Sequence, residues 1–140
     1  MNKNPPVIDG SLPLGDLVDT MRKMRTDHVW VVEDREKMKL TGIITECDFL
    51  RAMKKPPTSR EIGWDILSLK SIRYHTVHEA RDLMVSNPIT SSPSTPVGDA
   101  IELMIRNRVR HLAIVEEDRL TGEFTVCELI NLIREHLPEE

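Results

Sequence analysis

The sequence contains the same unit twice, and that duplication limits the folds open to it. Residues 4 to 50, from Asn4-Pro5 through Gly42-Ile43-Ile44-Thr45-Glu46-Cys47-Asp48, align with residues 87 to 130, from Asn87-Pro88 through Gly122-Glu123-Phe124-Thr125-Val126-Cys127-Glu128. The offset is first 83, pairing Ser11 with Ser94, Pro13 with Pro96, Asp16 with Asp99, Met21 with Met104, Arg25 with Arg108 and His28 with His111. After a loop of different length it becomes 80, pairing Leu40-Thr41-Gly42 with Leu120-Thr121-Gly122 and Cys47 with Cys127. A unit this short cannot cover both of its apolar faces alone. Two units are therefore expected to share one core and to leave related clefts between them.

Within each copy the hydrophobic pattern changes period in a fixed order. Pro88-Ile89-Thr90-Ser91 reads as a short extended piece, and Ser94-Thr95-Pro96 supplies a capping residue with proline in the first turn of a helix. Val97, Ala100, Ile101 and Met104 recur at spacings of three and four, as do Leu14, Leu17, Val18 and Met21, so each helix turns an apolar stripe to a core. His111-Leu112-Ala113-Ile114-Val115 and His28-Val29-Trp30-Val31-Val32 are apolar runs of strand length. A charged turn leads to a second strand, Leu40 to Ile44 or Leu120 to Phe124. A helix follows, with Phe49, Leu50 and Met53 or Leu129, Ile130, Ile133 and Leu137. The predicted order is β-α-β-β-α, twice, in an α/β (α+β) fold whose two pseudo-twofold-related repeats pack through their sheets. The boundaries read as 1–53 for the first repeat, 54–82 for a linker and lead-in helix, and 83–140 for the second. Only three residues precede Asn4, so the chain reads as beginning abruptly or as cut from something larger.

At 140 residues, with 39% hydrophobic and 30% charged, the chain has the composition of one globular body. A net charge of −4 gives no global reason to bind nucleic acid or an anionic membrane. No apolar run approaches the roughly 20 residues needed to cross a bilayer, and the first residues are not a signal peptide. A cytoplasmic location is expected, either free or as the cytoplasmic region of a membrane protein, with no direct membrane insertion. Cys47 and Cys127 stand at equivalent positions. They are expected to be small buried apolar residues, a disulfide between them being the other reading.

The runs Asp82-Leu83-Met84-Val85-Ser86-Asn87-Pro88-Ile89-Thr90, Thr95-Pro96-Val97 to Met104, Asn107-Arg108-Val109-Arg110-His111-Leu112 and Gly42-Ile43-Ile44-Thr45-Glu46-Cys47-Asp48-Phe49-Leu50 together resemble tandem CBS domains, the paired arrangement called a Bateman module. The resemblance spans the chain apart from residues 54 to 75. It implies a regulatory, non-catalytic module that requires no cofactor and takes AMP, ADP, ATP or S-adenosylmethionine between its repeats. It also implies a homodimer, a disc of two pairs, and control of a fused or separate enzyme, channel or transporter. The alternative is a ligand-free assembly module.

Carried over by resemblance, Thr45 and Asp48 match the family's ribose-binding threonine and aspartate, with Thr125 and Glu128 as the second pair. Thr90, Arg108, Arg110, His111 and His28 complete the expected ligand-binding set. A carboxylate can accept hydrogen bonds from both ribose hydroxyls, while a helix start with free amides suits a phosphate. Threonine followed three residues later by an acid is also a capping box, which needs no ligand. The cap is the preferred reading at Thr125 and Glu128, the ligand at Thr45 and Asp48. Arg108, Arg110 and His111 read as phosphate-facing cations or as a solvated helix end; their counterparts Arg25, Asp27 and His28 are less basic, so phosphate binding is expected to be asymmetric. Trp30 stands where the family often has proline and either fills the core or stacks on adenine, core filling being preferred. His75, His78 and Glu79 have too few companions to hold a metal, and no catalytic constellation is visible.

Overall fold

The computed structural model describes residues 1–53 and 77–139. The first copy contains β1 (Val7–Asp9), α1 (Leu14–Met24), β2 (His28–Glu33), β3 (Lys39–Thr45) and α2 (Glu46–Ala52). A short helix α3 (Ala80–Leu83) and strand β4 (Val85–Ser86) lead to the second copy, which contains β5 (Thr90–Ser91), α4 (Val97–Asn107), β6 (His111–Glu116), β7 (Arg119–Thr125) and α5 (Val126–His136). The predicted β-α-β-β-α order is present twice. The strands run β1-β2-β3-β7-β6-β5, with β4 added to β3. β3 and β7 join the two halves at the register pair Lys39 and Arg119.

The stripes predicted for the first helices face the core through Leu17 and Met21 in α1 and Ala100 and Met104 in α4. Val97, counted in the second stripe, is instead exposed. The prolines also sit one position earlier than expected. Pro13 and Pro96 occupy the N-cap itself, and the Thr95 hydroxyl accepts the Ser92 amide, closing the preceding turn and leaving the helix without a side-chain cap.

Trp30, Val32, Ala113 and Leu120 form a core cluster contributed by both copies. This is the shared core that the duplication requires. The segment before the second repeat closes the first: Val77, Ala80 and Leu83 pack with Ile8, Leu17, Met21 and Ile44, and the Leu14 amide donates to the His78 carbonyl. Each copy also lends backbone to the other's sheet. Val85 pairs with Ile43, and Asn2 bridges Glu123 at the equivalent place. Glycine permits that approach, because a Cβ on Gly42 would meet the Val85 carbonyl at 2.9 Å and one on Gly122 the Asn2 carbonyl at 2.8 Å. Among the described residues no helix is long and apolar enough to cross a membrane.

Candidate functional site

Two clefts open where the copies meet. The first, about 480 Å³, combines Thr45, Cys47, Asp48 and Arg51 at the β3–α2 junction with Asn87, Pro88, Ile89 and Arg108 to His111 of the second copy. The second, about 870 Å³, combines Thr125, Cys127 and Glu128 at the β7–α5 junction with Asn2, Asn4, Pro6 and Arg25 to His28 of the first copy. Both volumes suit a small organic ligand. Each cleft thus takes its acidic helix start from one repeat and its basic segment from the other. Asp27, Arg110 and His111 border both. Thr90 is paired to Ala113 in β5, exposed and apart from both linings.

The cation-bearing segments are delivered by helix ends of unusual backbone. Arg25 and Arg108 cap α1 and α4 in the left-handed region, at φ 50° and 54°, and this turns the chain from helix into strand. A non-glycine residue held there costs about 1 kcal/mol or more, a cost often found at ligand sites. Arg108 and Arg110 are exposed and, among the described residues, make no ion pair.

The two acids differ in state. Asp48 is buried, and its Oδ2 accepts from the Thr45 amide at 2.7 Å and the Thr45 hydroxyl at 3.3 Å, while Arg51 pairs with its Oδ1. The capping-box geometry is therefore realised at the pair for which ligand binding was preferred. In the second copy Thr125 Oγ1 accepts the Glu128 amide at 3.2 Å. Glu128 Oε1 is buried with no hydrogen-bond partner among the described residues. Burial pushes the Glu128 carboxyl up, and the nearby Glu123 charge adds to the rise.

Between the clefts lies a polar cluster that the sequence did not disclose. His28 Nε2 is 2.6 Å from Glu123 Oε1 and His28 Nδ1 is 2.8 Å from Asp27 Oδ1. Trp30 Nε1 donates to the same Glu123 oxygen at 2.8 Å, and Asn2 Nδ2 donates to the other at 3.0 Å. Burial would lower the His28 pKa, but hydrogen bonds and attraction from Glu123 and Asp27 outweigh it and hold the pKa above its ordinary value. His111, stacked on His28 with centroids 3.9 Å apart, is pushed down by burial and by the neighbouring His28 charge. Glu123 replaces Ile43 of the first copy, and an acid in a strand with no charged partner nearby in sequence gave no signal for this role. Trp30 is fully buried in the shared core and borders neither cleft, so the core-filling reading holds.

One other expectation needs revision. Cys47 and Cys127 are free and exposed, because each follows the first residue of a helix whose outer face is uncovered here. Of the weak metal candidate, His75 lies outside the described residues, and the His78 amide donates to Asp82 within the α3 cap.

The CBS domain family pattern matches residues 1–55 and 80–135. The CBS domain-containing protein CBSX3, mitochondrial, of Arabidopsis thaliana is 29% identical over 128 residues, which are 89% of this chain and 54% of that protein. The chain thus spans about half the length of that relative. The solved structure of CBSX2 in complex with AMP is similar at a TM-score of 0.71 and 22% identity, over 92% of this chain and 87% of that one. The CBS domain pair of protein MJ0100, in complex with 5-methylthioadenosine and S-adenosyl-L-methionine, is similar at 0.69 and 20%, over 94% and 92%.

Proposed function

The chain belongs to the CBS domain family, and from that premise we propose that it is a regulatory module, not an enzyme, which senses an adenosine-containing ligand in the Asp48 cleft. One observation carries the reading: Thr45 and Asp48 of one repeat and Arg108, Arg110 and His111 of the other line a single cavity. A carboxylate for ribose hydroxyls and, for phosphate, guanidinium groups that pair with no acid among the described residues are then available to one molecule. Similar pairs solved with AMP, or with 5-methylthioadenosine and S-adenosylmethionine, give the ligand class to test first. In this account Thr125 and Glu128 serve mainly as a helix cap.

Binding changes a partner only insofar as the ligand favours one arrangement of the repeats over another. The recipient is a fused or separate enzyme, channel or transporter, and the module works in the cytoplasm. Leu50, Ile130, Ile133 and Leu137 expose apolar surface on and beside α2 and α5, which a second copy would cover in a homodimer; sedimentation velocity tests that arrangement.

A second reading, a ligand-free assembly module, draws on the same exposed stripe and on Asp48, whose two oxygens are already engaged by Thr45 and Arg51. Thermal unfolding with AMP, ADP, ATP, adenosine and S-adenosylmethionine separates the two. A ligand at 100 times its Kd stabilises by about 2.7 kcal/mol, so sensing requires a raised Tm and calorimetric heat with at least one of them. Silence from all five at millimolar concentration leaves the assembly module standing.

A further inference from the structure

The pseudo-twofold brings two equivalent histidines, His28 and His111, together with Asp27 between the clefts. Asp27 Oδ1 lies 2.8 Å from His28 Nδ1 and 3.2 Å from His111 Nε2. One donor atom from each of the three residues falls within 4.8 Å of the others. We propose that Asp27, His28 and His111 bind a divalent transition-metal cation of the zinc type.

The donor set selects the class of ion. Two imidazoles and one carboxylate suit zinc and its late first-row neighbours, whereas magnesium and calcium prefer oxygen ligands throughout. Three protein ligands leave at least one coordination position open. The surroundings are those of a supported ligand. A metal-bound histidine commonly gives its other ring N–H to a carboxylate, which fixes the tautomer and turns the free nitrogen to the metal. Glu123 does this at His28 Nε2, leaving Nδ1 toward Asp27, and Trp30 and Asn2 hold Glu123 in turn.

The site is both preorganised and reachable. The two histidine side chains are 7% and 9% exposed, whereas Asp27 is 52% exposed and has room to withdraw as an ion enters. Asp27 and His111 line both clefts, so the open position faces space in which water or an anionic group can sit. Asp27 and Glu123 place two negative charges about the histidine pair, and a divalent cation balances them. The site does not depend on which nucleotide, if any, occupies the clefts.

The test uses the full chain stripped with chelator, titrated with zinc chloride by calorimetry and with cobalt(II) chloride by visible absorption. One ion per chain is expected, with a cobalt d–d band and no thiolate-to-cobalt charge-transfer band. Asp27→Asn and His111→Gln should each weaken binding at least tenfold, with folding checked by circular dichroism, while His78→Gln and the Cys47→Ser, Cys127→Ser pair leave it unchanged. The exposed Asp27 provides a variant that folds even if the buried positions do not tolerate change. Absence of heat and of the cobalt band in folded protein, or full affinity in both Asp27→Asn and His111→Gln, overturns the proposal.

Discussion

The two clefts share a backbone and differ in chemistry. Thr45 and Thr125 begin their helices at φ −122° and −125°, Pro13 and Pro96 precede theirs at the same φ of −59°, and Arg25 and Arg108 end them at 50° and 54°. The side chains depart from this symmetry. The first cleft has a short acid held by its own helix start and by Arg51; the second has a longer acid with one buried oxygen that finds no hydrogen-bond partner among the described residues. Between them Glu123 occupies the place of Ile43, fastening the second copy's sheet to His28 and Trp30 of the first. Duplication preserved the geometry that makes a cleft, and divergence changed the acid at its helix start. The cation asymmetry expected from Arg108, Arg110 and His111 is not found, because Arg110 and His111 border both clefts and Arg25 and His28 add to the second.

The largest effect expected from breaking this asymmetry is on stability. Glu123→Ala leaves His28 Nε2 and Trp30 Nε1 buried without the oxygen they share, although Asp27 still holds His28 Nδ1, and removing one member of a buried pair costs about 3–5 kcal/mol. Ile43→Ala should cost less, since that side chain is only half-buried. Urea denaturation compares them, and equal losses would reduce Glu123 to a filler of space.

Affinity should divide next. Asp48→Ala is expected to weaken adenosine-ligand binding by about 1.5–3 kcal/mol, the range for hydrogen bonds to a charged group, and Glu128→Ala by much less. Calorimetry with stability measured in parallel separates lost contacts from lost caps, and the reverse order would move the principal site to the second cleft.

Arg108→Ala against Arg25→Ala sharpens the comparison at the phosphate. Alanine and arginine both carry a Cβ in that left-handed backbone, so affinity rather than stability should change. Arg108→Ala should cost nucleotides up to about 1 kcal/mol, as expected for an exposed charge pair, and less in high salt. Uncharged adenosine should bind both variants like the parent.

The smallest effect is in pH dependence. Because the folded Glu128 pKa is raised, the unfolded chain releases that proton first, and stability falls as pH rises from about 4.3 through the folded value. Glu128→Gln removes the decline, so its advantage over the parent in chemical denaturation should grow across that window. A constant difference would mean that Glu128 titrates as if unfolded.

What could be read from the sequence was what repeats locally. The stripes through Leu17 and Met21 and through Ala100 and Met104, the apolar strands and the threonine–acid pairs each follow from spacing within one element, and all occur. Contacts across the pseudo-twofold left no such trace. Nothing near Val77, Ala80 and Leu83 says that they close the first repeat's core, and nothing near Glu123 points to His28, 95 positions away. Cysteine burial failed for a related reason: an apolar helix face is read as covered, and here the faces of α2 and α5 are open.

Those two exposed cysteines allow a direct test of which cleft is used. Cys47 lines only the first cleft and Cys127 only the second. Alkylation of the full chain, followed residue by residue by mass spectrometry with and without saturating AMP, reads both sites in one sample. Slower modification of Cys47 with Cys127 unchanged is the predicted result; protection of Cys127 alone, or of neither thiol while calorimetry shows AMP bound, would contradict it.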